Sequence, residues 1–182
     1  DTHPNITSSW QGKSVQGAKG TMLDAGTHVP LIVSWPGKSL EGLQSDTLVD
    51  FTDFYATFAE LANIKLDETD PIDGHSFLPQ ILGTPSKGRE FAFCHYQPYW
   101  NKKPGQFARS SKYKLYRDGG FYETGKDLRE QNDLSKSINS EEMMTAYKKL
   151  KAFLDTCPPA PENKKEGRSA KNRPTFPEWK KL

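Results

Sequence analysis

The sequence predicts an α/β protein: the edge of a large mixed sheet up to residue 83, then a small antiparallel sheet packed on a carboxyl-terminal helix that ends near residue 157. Three observations predict it. The run Val29-Pro30-Leu31-Ile32-Val33-Ser34-Trp35 is apolar on successive residues and closes at Pro36-Gly37, the pattern of a short strand covered on both faces. Tyr113–Tyr116 and Phe121-Tyr122 flank Asp118-Gly119, a strong signal for a tight hairpin. Met143, Tyr147, Leu150 and Leu154 fall on one helical face behind Ser140, a good amino-terminal cap, with Glu141 and Glu142 complementing the positive end of the helix dipole.

Residues 1–16 are polar and rich in turn formers, which predicts an irregular approach to the segment that follows. Gly17 and Gly20 then free the backbone around Lys19, so that an ammonium group is displayed from a tight loop with nothing bulky beside it. Such a lysine suits an anion, although a lysine between glycines is more often an ordinary solvated loop residue. After the 29–35 strand, residues 37–46 form a loop and Thr47–Val49 a short extended piece. Phe51, Phe54, Tyr55, Phe58, Leu61 and Ala62 recur with helical spacing and are expected to face the core, with Asp50, Thr52 or Asp53 as cap and Asn63 as a left-handed terminator. Asp73-Gly74 is a turn, and His75 or Ser76 begins a short helix carrying Phe77, Leu78, Ile81 and Leu82 that ends at Gly83.

Glu90–Tyr96 has strand composition, and residues 97–105 form a Pro- and Gly-punctuated loop with Tyr99, Trp100, Lys102 and Lys103. Aromatic rings beside lysines can stack on a sugar face and attract its anionic group; equally, Trp100 can pack down as a lid on the core. His95, where strand meets loop, is within reach of the same ligand, or is a half-buried structural histidine. Phe107–Ser110 begins the meander, and alternation places Lys114 and Arg117 on its wet side. The expected organisation is thus residues 1–83, residues 84–157, and a basic Pro-rich tail over 158–182.

That tail holds seven Lys or Arg against three Asp or Glu, leaving 18 against 20 in the body. The body is therefore near neutral, and the basic residues show no helical face or regular aromatic interleaving, which argues against nucleic acid as a partner. No stretch of 18 apolar residues predicts a membrane span. Two cysteines, Cys94 and Cys157, fit neither a CxxC redox pair nor a zinc site. Nucleotide-binding, zinc-protease and EF-hand patterns are absent.

The stretch from Gly17 to Gly37 resembles the signature of the sulfatase family: Gly-Lys-Gly, an acidic residue, a Gly, a basic residue, then Val-Pro-Leu-Ile-Val-x-Trp-Pro-Gly. Asp73-Gly74-His75-Ser76-Phe77-Leu78-Pro79 and the region from Tyr113-Lys114-Leu115-Tyr116 to Leu134 are similar to later family segments, so that the resemblance spans about residues 12–156. It implies that Lys19 contacts the sulfate ester and that His28 stands where the family has an arginine. Leu128 replaces the proline of a family turn. The family's Cys-x-Pro-Ser-Arg segment, the source of its formylglycine nucleophile, is matched by neither Cys94 nor Cys157, and the paired aspartates and Asp-Asn pair that hold calcium have no counterpart here.

The resemblance therefore implies the carboxyl-terminal portion of a truncated sulfatase-like fold. Its parent would attack sulfur with a hydrated formylglycine oxygen while calcium and basic residues hold the sulfonyl oxygens. This chain would supply Lys19 as catalytic cation and Lys19, His28, His95, Trp100 and Lys102 as the rim contacting a sulfated sugar or an aryl sulfate. It would bind no calcium itself and be inactive alone, and the family's compartments are periplasmic, secreted or lysosomal. The rival expectation is a non-catalytic module for anionic glycans using Lys19, Trp100, Lys102 and Lys103. The uncovered 29–35 strand would also promote self-association, most simply as a two-fold dimer.

Overall fold

The computed structural model describes residues 3, 5–10, 12–67, 69, 72–97 and 104–160. Its centre is a four-stranded antiparallel meander in the order β3 (Ala92–Tyr96), β4 (Gly105–Arg109), β5 (Tyr113–Tyr116) and β6 (Phe121–Glu123). The Asp118-Gly119 turn closes β5 onto β6: Gly119 takes φ 105°, and its amide donates to the Tyr116 carbonyl at 3.0 Å. The register pairs Phe107 with Tyr116 and Leu115 with Phe121.

Helix α4 (Glu141–Thr156) packs on one face of this sheet, capped as its sequence predicts by the Ser140 hydroxyl accepting from the Met143 amide at 3.1 Å. Leu150 and Leu154 meet Ala108, Tyr113, Leu115 and Phe121, with Met143 and Tyr147 at the margin of the same cluster. At its far end the Arg117 guanidinium donates to the Leu154 and Cys157 carbonyls at 2.9 and 3.1 Å, satisfying acceptors that a helix terminus leaves open.

Successive residues of a strand face opposite ways. Phe107, Arg109, Lys114 and Tyr116 therefore point away from α4, and sequence reasoning expected the Lys114 side of β5 to be wet. The structure corrects this: Lys114 is fully buried, because residues 17–28 lie across that face.

The amino-terminal part also departs from expectation. Residues 1–16 contain a hairpin, β1 (Thr7–Trp10) with β2 (Lys13–Gln16), turned at Gly12 with φ 74°. Its residues are largely polar and exposed, so no hydrophobic alternation announced it. The Val29–Trp35 run is not a strand: it is irregular and exposed, Ile32 to 88%, since the described residues place no strand beside it. The strand-mediated dimer loses its basis with it.

Helix α2 (Asp53–Leu61) lies where its periodicity predicts but is turned about. Asp53, Ala56, Thr57 and Ala59 are buried, whereas Phe51, Tyr55 and Phe58 are exposed. Only Phe54 of the aromatic stripe packs inward, edge-on to Phe77. The Asp50 carboxylate accepts from the Thr52 amide at 3.0 Å while Asp53 accepts from the Asp50 amide at 2.8 Å, a reciprocal cap. Asn63 ends the helix at φ 55°, the Ile64 amide reaching back to the Ala59 carbonyl at 2.8 Å. Thr47–Val49 is extended and Leu48 bridges Arg89. Helix α3 (Leu78–Leu82) ends at Gly83 with φ 69°, as its sequence predicts.

Candidate functional site

Lys19 stands at the tip of a turn whose geometry follows from its neighbours. The Thr21 amide donates to the Ala18 carbonyl at 3.0 Å and Gly20 takes φ 81°, the left-handed value that the third position of a type II turn requires. Gly17 and Ala18 are buried and Lys19 is exposed, so the turn is anchored at its base and open at its tip. Among the described residues the Lys19 side chain has neither hydrogen bond nor ion pair.

The base of the turn is built closely. The Thr21 hydroxyl donates to the Ala18 carbonyl at 2.7 Å, and a Cβ on Gly26 would lie 2.5 Å from that same carbonyl oxygen. Gly26 sits in the short helix α1 (Asp24–Thr27), whose Asp24 points into the sheet. There the Asp24 carboxylate pairs with the Arg109 guanidinium, which also reaches the Thr124 hydroxyl at 3.5 Å. Burial works to raise the Asp24 pKa, but the His28 hydrogen bond and the Arg109 charge outweigh it and hold the carboxyl below its ordinary range.

A second tether lies beside the first. The Lys114 ammonium donates to the Met22 carbonyl and to Glu130 Oε1 at 2.8 Å, and sits 3.9 Å from the Phe107 ring centroid. The Tyr116 hydroxyl donates to Glu130 Oε2 and approaches the Met22 carbonyl at 3.2 Å. Burial draws the Lys114 pKa down while Glu130 opposes it; burial and Glu130 together push the Tyr116 phenol up. Met22 also packs on Gly105, where a Cβ would lie 2.2 Å from its methyl carbon.

The residues named from sequence are distributed unevenly about this turn. His28 is exposed at the end of α1 and bound to Asp24 through Nδ1 at 3.2 Å. His95 is exposed on β3, its Nδ1 3.1 Å from Gln106 Nε2 and its Nε2 3.3 Å from Gln97 Oε1. Trp100, Lys102 and Lys103 lie outside the described residues. Asp24, Arg109, Lys114 and Glu130, which hold the turn, escaped sequence reasoning; the four-residue spacing of Asp24 and His28 was the one local signal for them.

A groove of about 820 Å³ runs beside the turn, bounded by His28, Leu31, Leu40, Phe77, Ile81 and Arg109. Its walls are about evenly apolar and polar, Asp46 among them, and Arg109 is already paired with Asp24. Among the described residues no group of three or more His, Cys, Asp or Glu side chains is placed to hold a metal ion. Burial raises the Cys94 and Cys157 thiols, the reverse of what an activated nucleophile needs. No described helix is long and apolar enough to cross a membrane.

Lys19 is thus an exposed cation at the tip of a braced turn. The chain belongs to the N-sulphoglucosamine sulphohydrolase C-terminal family, a sulfatase family, which matches residues 17–156. Comparison with curated proteins finds no match. Among solved structures it is similar to a protein from Bacteroides thetaiotaomicron VPI-5482 described as a sulfatase, with 22% identity over 57% of this chain and 23% of that one and a TM-score of 0.44. It is also similar to BT4656, solved in complex with its substrate D-glucosamine-2-N,6-O-disulfate, with 26% identity over 57% and 22% of the two chains and a TM-score of 0.44. A third is BT1596, a 2-O GAG sulfatase, with 23% identity over 57% and 23% and a TM-score of 0.44. The matched region spans less than a quarter of each of these structures.

Proposed function

We propose that this chain is the carboxyl-terminal part of a sulfatase acting on a sulfated amino sugar, and that Lys19 is its contribution to the sulfate site. The observation that carries the reading is the Lys19 turn: within the family-matched region, an ammonium with no partner among the described residues is held at the tip of a turn whose base is tied to the sheet. A lysine serves a tetrahedral anion as a point charge without needing the planar fork of an arginine, and it stabilises negative charge on the sulfonyl oxygens as the ester bond breaks. The substrate class comes from the family's description, which names N-sulphoglucosamine. The sequence has no counterpart of the family's formylglycine segment or calcium aspartates, so the 182-residue chain by itself is expected to be inactive.

The test is sulfate release from glucosamine N-sulfate by the sulfatase containing this chain. Lys19→Ala is expected to lower kcat/KM about a hundredfold, the loss typical of one charge-stabilising donor in a closed site. An unchanged rate would return Lys19 to the role of a solvated loop residue, and turnover by the purified 182-residue chain would overturn the division of labour.

A further inference from the structure

On the face of the meander opposite α4, a lysine and a tyrosine that both bond Glu130 reach one backbone carbonyl. That carbonyl belongs to Met22, three residues beyond Lys19. A buried ammonium is costly to remove from water, and here it is satisfied by an anion, a carbonyl and the face of an aromatic ring. Salt-bridging Lys114 to Glu130 alone would not require Met22, and the carbonyl could turn to solvent. Instead the chain descends from the exposed Lys19 tip directly onto the ammonium, and the Met22 side chain continues onto Gly105, which has no Cβ to obstruct it.

We propose that Lys114 and Glu130 are positioning residues for Lys19, with Tyr116 supporting them, and that they fix the direction of its ammonium by clamping the Met22 carbonyl to the sheet. This rests on the sulfate-contacting reading of Lys19 only for its consequence in catalysis. The clamp itself is a property of the chain. Lys114 touches no substrate in this arrangement; it acts through the backbone of the turn. The Asp24–Arg109 pair anchors the other end of the same segment, so loss of the Met22 clamp leaves the segment attached but free to pivot at its Lys19 end.

Replacing Lys114 alone would leave Glu130 buried without its cation, so the test uses Lys114→Met together with Glu130→Gln, which removes both charges and keeps an acceptor for Tyr116. Tyr116→Phe, which preserves the ion pair, is the second variant should the first fold poorly. Hydrogen exchange on the 182-residue chain is expected to quicken at least tenfold at the Thr21 amide in the double variant, and by a smaller factor in Tyr116→Phe. The Ser110 and Arg117 amides, bonded within the meander, should be unchanged. In the sulfatase, the double variant should lower kcat/KM, and the triple variant that adds Lys19→Ala should lose no more in total than Lys19→Ala alone, because groups acting as one unit are not additive. Unchanged exchange at Thr21, or fully additive losses in rate, would overturn the proposal. A harmless Lys19→Ala would instead remove the sulfate reading while leaving the exchange result to decide the clamp.

Discussion

Asp53→Asn is the substitution whose effect the structure determines most closely. Both carboxylate oxygens accept twice: Oδ1 from the His75 amide at 2.7 Å and from the Arg89 guanidinium, Oδ2 from the Asp50 amide at 2.8 Å and Arg89 Nε at 3.0 Å. All four partners are donors. The asparagine oxygen can serve two of them, but its amino group then confronts the other two, and Arg89 loses its counter-ion at a site where both side chains are at least nine-tenths buried. Breaking a buried pair by removing one partner costs about 3–5 kcal/mol, a large share of the roughly 5–15 kcal/mol that holds a typical domain. Urea unfolding followed by far-ultraviolet circular dichroism should show that loss. The same carboxyl is held below its ordinary pKa, burial being outweighed by Arg89 and the two amides. Its contribution is accordingly complete above the unfolded value of about 4 and fades as pH falls through the lower folded value. A loss under about 1 kcal/mol, or an acid limb identical in wild type and variant, would refute the assigned network.

Three further outcomes are expected. Gly26→Ala should destabilise the chain by about 1–3 kcal/mol and quicken exchange at the Thr21 amide, because its methyl would meet two backbone carbonyls, those of Ala18 and Thr21 at 2.5 and 2.7 Å; an unaltered melting curve would contradict this. In a spectrophotometric titration of the seven tyrosines, Tyr116 should remain protonated after exposed phenols have ionised and release its proton only as the chain unfolds, a lag that Tyr116→Phe removes. Because a raised phenol pKa stabilises only the protonated form, stability should decline above about pH 10. The amides of Leu31 to Ser34, which have no backbone acceptor among the described residues, should exchange at nearly free-chain rates; strong protection would restore the strand.

What the sequence revealed was what neighbouring residues decide among themselves. Ser140 with the stripe behind it, Asp118-Gly119 between two alternating runs, and Asn63 and Gly83 at helix ends each fix their own conformation within a few bonds. The inward face of α2 was not of this kind. Periodicity located an aromatic stripe, yet the buried side was chosen by Asp53, whose partner Arg89 is 36 residues away, and by small residues that let the 72–77 loop approach: a Cβ on Gly74 would lie 2.1 Å from the Thr52 carbonyl. Lys114 was misplaced for the same reason. Alternation correctly put it opposite Leu115, but only the fold brings Met22, 92 residues earlier, to cover that side. Lys19 was legible as a displayed cation from its two glycines; the structure that braces it was not, because its members are scattered over more than a hundred residues.

Glu130 takes φ 53°, a left-handed conformation that costs most side chains on the order of 1–3 kcal/mol and that glycine or asparagine adopts readily. Its carboxylate, meanwhile, is the acceptor for Lys114 and Tyr116. Backbone and side chain thus demand different residues at one position. In a saturation library selected for folding, position 130 should therefore keep glutamate while Lys114 is present, because a buried ammonium without its anion costs about 3–5 kcal/mol, and should turn to glycine and asparagine once Lys114→Met has removed that charge.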